Sequence, residues 1–403
     1  MNIHIRNPLL LLIIPILFLT SCIHTKPIPT RTMDFEEGIK SLAVNLAEQL
    51  EKSSVGNMLN KIVINPVTKH KQMKKIVIDP FIDVESGYPV KVNSRISSIM
   101  SEEISKRFEI AGDLEPDKLE ISEFVLNGMV TLAENSEGKE KIYKVYATVF
   151  DKTSGKVLGS AISYVSNFDT TPMDIYKDSP VFLKGKDYQQ HTASVKMSPN
   201  ETVNSEYHDR LAIKSMQTKG DKLYEQKEYK KSLSYYNQAA GSQSAPKLEV
   251  LNGQFTNLVK QGQWEDAEGV YGKLIRSSIA ETSEIATKIT FPPKSLTPLG
   301  SKSHLYNIYI RQIAKLVESI PECKVIIIGH CSRSGSEMYN EKLSLQRAQW
   351  VQKQMASYVQ QINTKSETLG KGFSENVVGT GKDNITDEID RRVEFKFNQC
   401  VEK

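Results

Sequence analysis

The side chains best suited to binding lie near the carboxyl end, and the chemistry they suit is capture of a carboxylate. Arg347 presents a guanidinium, whose planar fork makes two parallel hydrogen bonds to a carboxylate and so fixes its orientation, and Arg392 is a further guanidinium in the same stretch. Ser344 is a plausible helix N-cap, which would put Arg347 in the first helical turn. There the helix dipole disfavours a cation by a few tenths of a kcal/mol or more. A cation at that point makes sense if it shares an anion with the free backbone N–H groups. The competing role for each arginine is surface pairing with an acid such as Glu341 or Glu394. An arginine kept for a ligand should be replaceable by alanine with the fold intact.

Other chemistries lack their residues. Gly370-Lys371-Gly372 and Gly379-Thr380-Gly381-Lys382 have neither phosphate-loop spacing nor a following Ser or Thr. His70, His191, His208, His304 and His330 are scattered, without metal-ligand spacing, Cys-x-x-Cys or a Gly-x-Ser-x-Gly elbow. No enzyme, metal or cofactor is therefore expected. Of the four cysteines, Cys323 opens one expected strand and Cys400 closes another. If those strands are antiparallel neighbours the two could bridge and leave Cys331 free; three free thiols are the alternative.

The elements that must position these groups follow from periodicity. The chain of 403 residues suggests two or three domains, and its net charge of +4, without a basic block, does not ask for nucleic acid. Strands are expected at residues 285–291, 324–328, 377–379 and 392–397. Between them lie amphipathic helices with Tyr306, Ile310, Ile313 and Val317 on one face, and from about 343 to 362 with Leu345, Ala348, Val351, Met355, Val359 and Ile362 on another. This is a βαβαβ sandwich with one helical layer over residues 283–403. The loop after Ile328 sits at a strand's carboxyl end, a usual ligand position.

Upstream, residues 34–168 read as an α+β domain. Helical spacing runs through Phe35, Ile39, Leu42, Val44, Leu46 and Leu50, strands fall at 61–65, 75–79, 124–132, 141–149 and 157–165, and a helix spans 94–108. Residues 169–205, polar and carrying Pro172, Pro180 and Pro199, read as a linker or surface excursion. Over 206–282 an internal repeat places Tyr229, Ser232, Tyr236 and Ala239 35 positions before Trp264, Ala267, Tyr271 and Leu274. At the amino end Arg6 and the apolar stretch 9–19 have the anatomy of a signal peptide over 1–21. The stretch is too short to span a bilayer, and a proline-bearing tether follows over 22–33.

Four resemblances add to this. Leu19-Thr20-Ser21-Cys22 resembles a bacterial lipobox, which implies acylation of Cys22 by chains such as palmitate. Ile23 in place of aspartate leans toward an outer-membrane lipoprotein facing the periplasm. The strand before Asp79-Pro80-Phe81 and the Val-Leu-Asn-Gly strand at 125–128 resemble the domain shared by CsgG, FlgO and LpoB. The 35-residue period resembles the tetratricopeptide (TPR) repeat.

The fourth resemblance covers about 284–399. Gly329-His330-Cys331-Ser332-Arg333-Ser334-Gly335, Tyr339-Asn340, Leu343-Ser344-Leu345-Gln346-Arg347-Ala348 and Asp390-Arg391-Arg392-Val393-Glu394 resemble the OmpA-like peptidoglycan-binding domain of OmpA, Pal and MotB. It implies that Arg347 grips the diaminopimelate carboxylate of the peptidoglycan stem peptide. Arg392 would make a second contact, with Ser332 and Asn340 at the ligand loop. The family usually has an aspartate at Ser332, holding the ligand's ammonium end; a hydroxyl forfeits the charge-assisted part, on the order of 1 kcal/mol. Pro292-Pro293 likewise replaces an acidic or amide contact, and Arg333 could favour a more anionic stem peptide. The implied function is a non-catalytic tether between outer membrane and cell wall. The alternative is an assembly factor or regulator that docks on an envelope machine through a protein partner.

Overall fold

The computed structural model of the chain describes residues 32–53, 73–133, 141–181, 183–242, 247–282, 284–376, 381, 383 and 385–400. The expected signal peptide, Cys22, the tether up to Arg31 and the expected strands at 61–65 and 377–379 lie outside the described residues. Among the described residues no helix is long and apolar enough to cross a membrane. The architecture is mixed α/β and multidomain.

Helix α1 (Phe35–Lys52) starts where Asp34 accepts the Glu37 N–H at 2.8 Å, with Glu36 and Glu37 complementing the dipole. Strands β1 (Lys75–Ile78) and β2 (Ile82–Asp83) follow, then β3 (Tyr88–Pro89), helix α2 (Asn93–Ile104) and β4 (Glu109–Asp113). A meander of β5 (Phe124–Leu132), β6 (Ile142–Asp151) and β7 (Val157–Ser166) completes the sheet. β1 and β2 lie one after the other along one edge of β5, both parallel to it; β4 adds to β1, and β6 and β7 extend the other edge antiparallel. Ile39, Leu42 and Leu46 of α1 and Ile96, Ile99 and Met100 of α2 bury one face of this sheet; Val44 falls off that stripe and is exposed.

The opposite face corrects the expectation of a linker over 169–205. That stretch carries helix α3 (Lys186–Val195), and Val203, Tyr207 and Leu211 pack with Val77, Val125, Phe150 and Val157. Val195 packs with Ile82 and Met129. A mixed sheet with apolar residues on both faces needs both covered, so the polar-looking segment folds back as part of the second cover.

Four helices follow: α4 (Leu211–Glu225), α5 (Tyr229–Ala240), α6 (Lys247–Lys260) and α7 (Trp264–Thr282). The repeat positions Ser232 and Ala267, Tyr236 and Tyr271, and Ala239 and Leu274 are all buried. Gly253 lets the Tyr236 ring in, since a Cβ there would lie 2.0 Å from it.

The sheet joins these helices through buried ionic groups. Tyr207 Oη donates to Asp79 at 2.6 Å, and His191 and Lys214 stand 3.3 and 3.8 Å from the same carboxylate. Burial alone would push Asp79 up, but Lys214, His191 and Tyr207 together hold it below the usual carboxylate range. Nearby, Asp221 accepts hydrogen bonds from Tyr176 (2.7 Å) and Tyr236, and a cavity of about 60 Å³ touches Asp79, Asp187, Lys214 and Asp221.

Burial pushes the Asp221 carboxyl up to about 7 from its ordinary 3.8, so the folded state holds a proton there that the unfolded chain has released. The stability this gives is complete below about pH 4 and is lost as pH rises to about 7. Asp221→Asn is therefore expected to fall below the native chain near pH 4 and to exceed it above pH 7. The gain should be on the order of 2 kcal/mol, less than the shift alone implies, because the amide returns an N–H where two hydroxyls donate. Urea denaturation at both pH values checks this, and a difference that does not change with pH contradicts it.

The carboxyl-terminal domain has β8 (Glu284–Thr290), α8 (Ser303–Ser319), β9 (Lys324–Gly329), α9 (Glu337–Tyr358), β10 (Ser366–Gly370) and β11 (Arg392–Asn398). The sheet order is β10-β9-β11-β8, with β10 parallel to β9 and the other neighbours antiparallel. β10 was not expected from the sequence: Ser366-Glu367-Thr368-Leu369 is a polar edge strand whose apolar alternation is weak. Cys323 and Cys400 are joined by a disulfide between the start of β9 and the end of β11, and Cys331 is a buried free thiol.

Candidate functional site

The site builds up from the carboxyl end of β9. Gly329 closes that strand because nothing larger fits, as a Cβ would meet the Ser344 carbonyl oxygen at 1.9 Å. Gly370, at the same level of β10, would meet Glu341 O at 2.5 Å. These two glycines let α9 lie directly on the strand ends. Helix α9 begins at Glu337, capped by Ser336, whose Oγ accepts from the Tyr339 N–H at 3.4 Å. This corrects the expectation that Ser344 caps the helix and that Arg347 sits in its first turn. Ser344 lies two turns in; its hydroxyl donates to Glu341 O at 2.8 Å and accepts from the Gly372 N–H at 2.9 Å. The helix dipole therefore has no special claim on Arg347.

Arg347 is fully buried, at 0% exposure. Its Nε donates to Ser295 O (3.0 Å), Nη2 to Pro292 O (3.0 Å), and Nη1 to His330 O (3.2 Å) and Cys331 Sγ (3.4 Å). The guanidinium carbon lies 5.0 Å over the Phe291 ring. Surface pairing with Glu341 or Glu394 is excluded. Among the described residues no carboxylate stands within ion-pair distance of Arg347, so a buried cation is solvated by neutral acceptors alone. Burial pulls its pKa down and pushes the Cys331 thiol up to about 11.

Arg392 takes the alternative role. Its Nε donates to Glu394 at 2.6 Å and Nη2 to Glu375 O at 3.2 Å, and His330 Nε2 stands 3.5 Å from the same Glu394 carboxylate. Burial raises the Glu394 carboxyl, but His330 and Arg392 outweigh it and bring the group down to about 2. The structure thus places Arg392 in an internal ion pair with Glu394. Arg391, one residue earlier, faces the site instead. Its Nε donates to Phe291 O at 2.9 Å and its Nη1 to Asp383 at 2.8 Å. Arg347 and Arg391 therefore bracket Phe291, one over its ring and the other at its carbonyl.

Asn340 is also placed differently from a ligand contact. Buried, it donates from Nδ2 to Ser334 O (2.8 Å) and Ser336 O (3.1 Å), and so shapes the 332–336 loop. Ser332 Oγ donates to Asp383 at 2.6 Å. The loop is pinned from the far side too, by Cys331 N–H on Gly372 O at 2.7 Å. Gly372 belongs to a glycine pair that offers no phosphate loop, and its role here has no signal in the local sequence. Among the described residues no group of three or more His, Cys, Asp or Glu could hold a metal ion.

The sequence model of the OmpA family matches residues 303–387, so the chain carries an OmpA-like domain toward its carboxyl end. No curated protein matches the chain. Among solved structures, the peptidoglycan-associated lipoprotein from Burkholderia pseudomallei is similar at 18% identity, over 28% of this chain and 89% of that one, with a TM-score of 0.24. The carboxyl-terminal domain of Helicobacter pylori MotB is similar at 20% identity, over 28% and 83%, with a TM-score of 0.23. An outer membrane protein from Borrelia burgdorferi B31 is similar at 23% identity, over 28% and 86%, with a TM-score of 0.22.

Proposed function

We propose that the OmpA-like domain binds peptidoglycan non-covalently through Arg347, and that the protein is a non-catalytic, lipid-anchored tether between outer membrane and cell wall. The observation that carries this reading is the buried Arg347 guanidinium without a carboxylate partner among the described residues. Burying an unpaired charge costs several kcal/mol unless hydrogen bonds compensate, and here every hydrogen-bond acceptor is neutral, with Asp383 acting on the charge only from beyond ion-pair distance. Two of its acceptors, Pro292 O and Ser295 O, belong to the half-exposed segment between β8 and α8. A ligand carboxylate that displaces them exchanges two hydrogen bonds to neutral carbonyls for a bidentate pair in which donor and acceptor are both charged. The Pro292–Ser295 carbonyls then act as placeholders for the anion, and a diaminopimelate carboxylate of the stem peptide is the group we assign to it.

The lipid end of the tether rests on Cys22 and the lipobox resemblance. The two helix pairs over 211–282 are read as TPR-like, a spacer between the ends. Purified sacculi should carry the full chain into the pellet, and soluble stem peptide containing diaminopimelate should release it. A chain that stays in the supernatant contradicts the reading.

A further inference from the structure

Resting on that reading, we propose that Asp383 supplies the acid that receives a ligand's ammonium group, so that Arg347 and Asp383 together recognise the carboxylate and ammonium of one α-amino acid group. Ser332 provides only a hydroxyl at the loop after β9, and that hydroxyl is spent on Asp383, donating to Oδ1 at 2.6 Å. Arg391 Nη1 donates to the same oxygen at 2.8 Å. Both contacts converge on Oδ1, and among the described residues no hydrogen bond reaches Oδ2. The carboxylate keeps solvent access, with 18% of the side chain exposed, while Ser332 and Arg391 beside it are nearly closed off.

The backbone is bent to hold the group there. Asp383 has φ of +53°, a left-handed conformation that Asp tolerates better than most residues, and its N–H is fixed by Asp387 Oδ2 at 2.8 Å. Gly381 lies near Arg333, whose carbonyl oxygen a Cβ built on the glycine would meet at 3.7 Å. Arg347 reaches the same loop through His330 O and Cys331 Sγ. A guanidinium with no acid within ion-pair distance among the described residues and a carboxylate with an unengaged oxygen, which acts on that guanidinium at longer range, thus border one short loop, His330 to Ser332. That pairing suits a zwitterion: its carboxylate turns to Arg347 and its ammonium to Asp383.

The test uses the full chain with purified sacculi, native or with free amines converted to amides by acetic anhydride. Acetylation should weaken native-chain binding about tenfold, the loss of one charge-assisted contact. Asp383→Asn should bind native sacculi about tenfold more weakly and lose nothing further on acetylation. The double variant Ser332→Asp with Asp383→Asn, which moves the acid across the hydrogen bond, should recover both the binding and its sensitivity to acetylation. Thermal melts of each variant separate misfolding from lost contact. If the native chain binds while Asp383→Asn binds equally well, or loses as much on acetylation as the native chain does, the assignment of Asp383 is overturned and the wall reading survives. If the native chain does not bind sacculi at all, both fall.

Discussion

Arg347→Ala is expected to lower stability by about 3 kcal/mol, contrary to the expectation that a ligand arginine is dispensable to the fold. Deleting a buried side chain of this size leaves a cavity and strips a donor from the carbonyls of Pro292, Ser295 and His330. Large-to-alanine changes in cores cost about 2–5 kcal/mol, and each buried acceptor left unpaired adds about 1 kcal/mol or more. Against this runs the relief of no longer burying a cation, worth several kcal/mol in a bare apolar site. The loss wins because four hydrogen bonds to the guanidinium offset much of the burial penalty, and what remains to be relieved is less than the cavity and the stripped carbonyls cost. Urea denaturation of the two proteins measures the difference; equal midpoints would show that the carbonyls rehydrate freely and that Arg347 is not part of the core.

The second large effect concerns the opposite end of the same two strands. Cys323 and Cys400 close a loop over a sequence separation of 77 residues. Loop-closure entropy for that length corresponds to about 4 kcal/mol. Cys323→Ala with Cys400→Ala, or reduction of the native chain, should destabilise the carboxyl-terminal domain by that order, read from the shift in its urea transition. Ligand binding below the transition should be unchanged, because the bridge ties the start of β9 to the end of β11 while the site stands at Gly329 and Arg391, the other ends of those strands. A transition unmoved by reduction would mean that the sheet holds its ends together without the bridge.

Much of this domain was legible because its strands and helices carry strong periods: Val325, Ile327 and Ile328, or Ala348, Val351 and Met355, declare their buried faces. The site was less so, for local reasons. Ser344 has the residue type of a cap, yet Ser336 followed by Glu337 starts the helix two turns earlier, and the work of Ser344 is to hold Gly372. Arg391 and Arg392 are neighbours at a strand's start, where successive side chains point to opposite sides. Nothing in their identity says which one turns to Phe291 and which to Glu394. Asp383 reaches Ser332 across 51 residues, a contact set by two loops and not by any motif. In the amino-terminal half the same limit appears at 169–205, where prolines and polar residues conceal Val195 and Val203, which help seal the second sheet face.

The central claim is that Arg347 holds a wall carboxylate with its guanidinium fork. Co-sedimentation of the full chain with purified sacculi, compared between the native protein and Arg347→Lys, addresses it most directly. Lysine keeps the charge and most of the stem packing but has no planar pair of donors. The account predicts that the native chain pellets with sacculi while Arg347→Lys, folded by its thermal melt, stays largely in the supernatant. A native chain that does not pellet, or a lysine variant that pellets equally well, would contradict it.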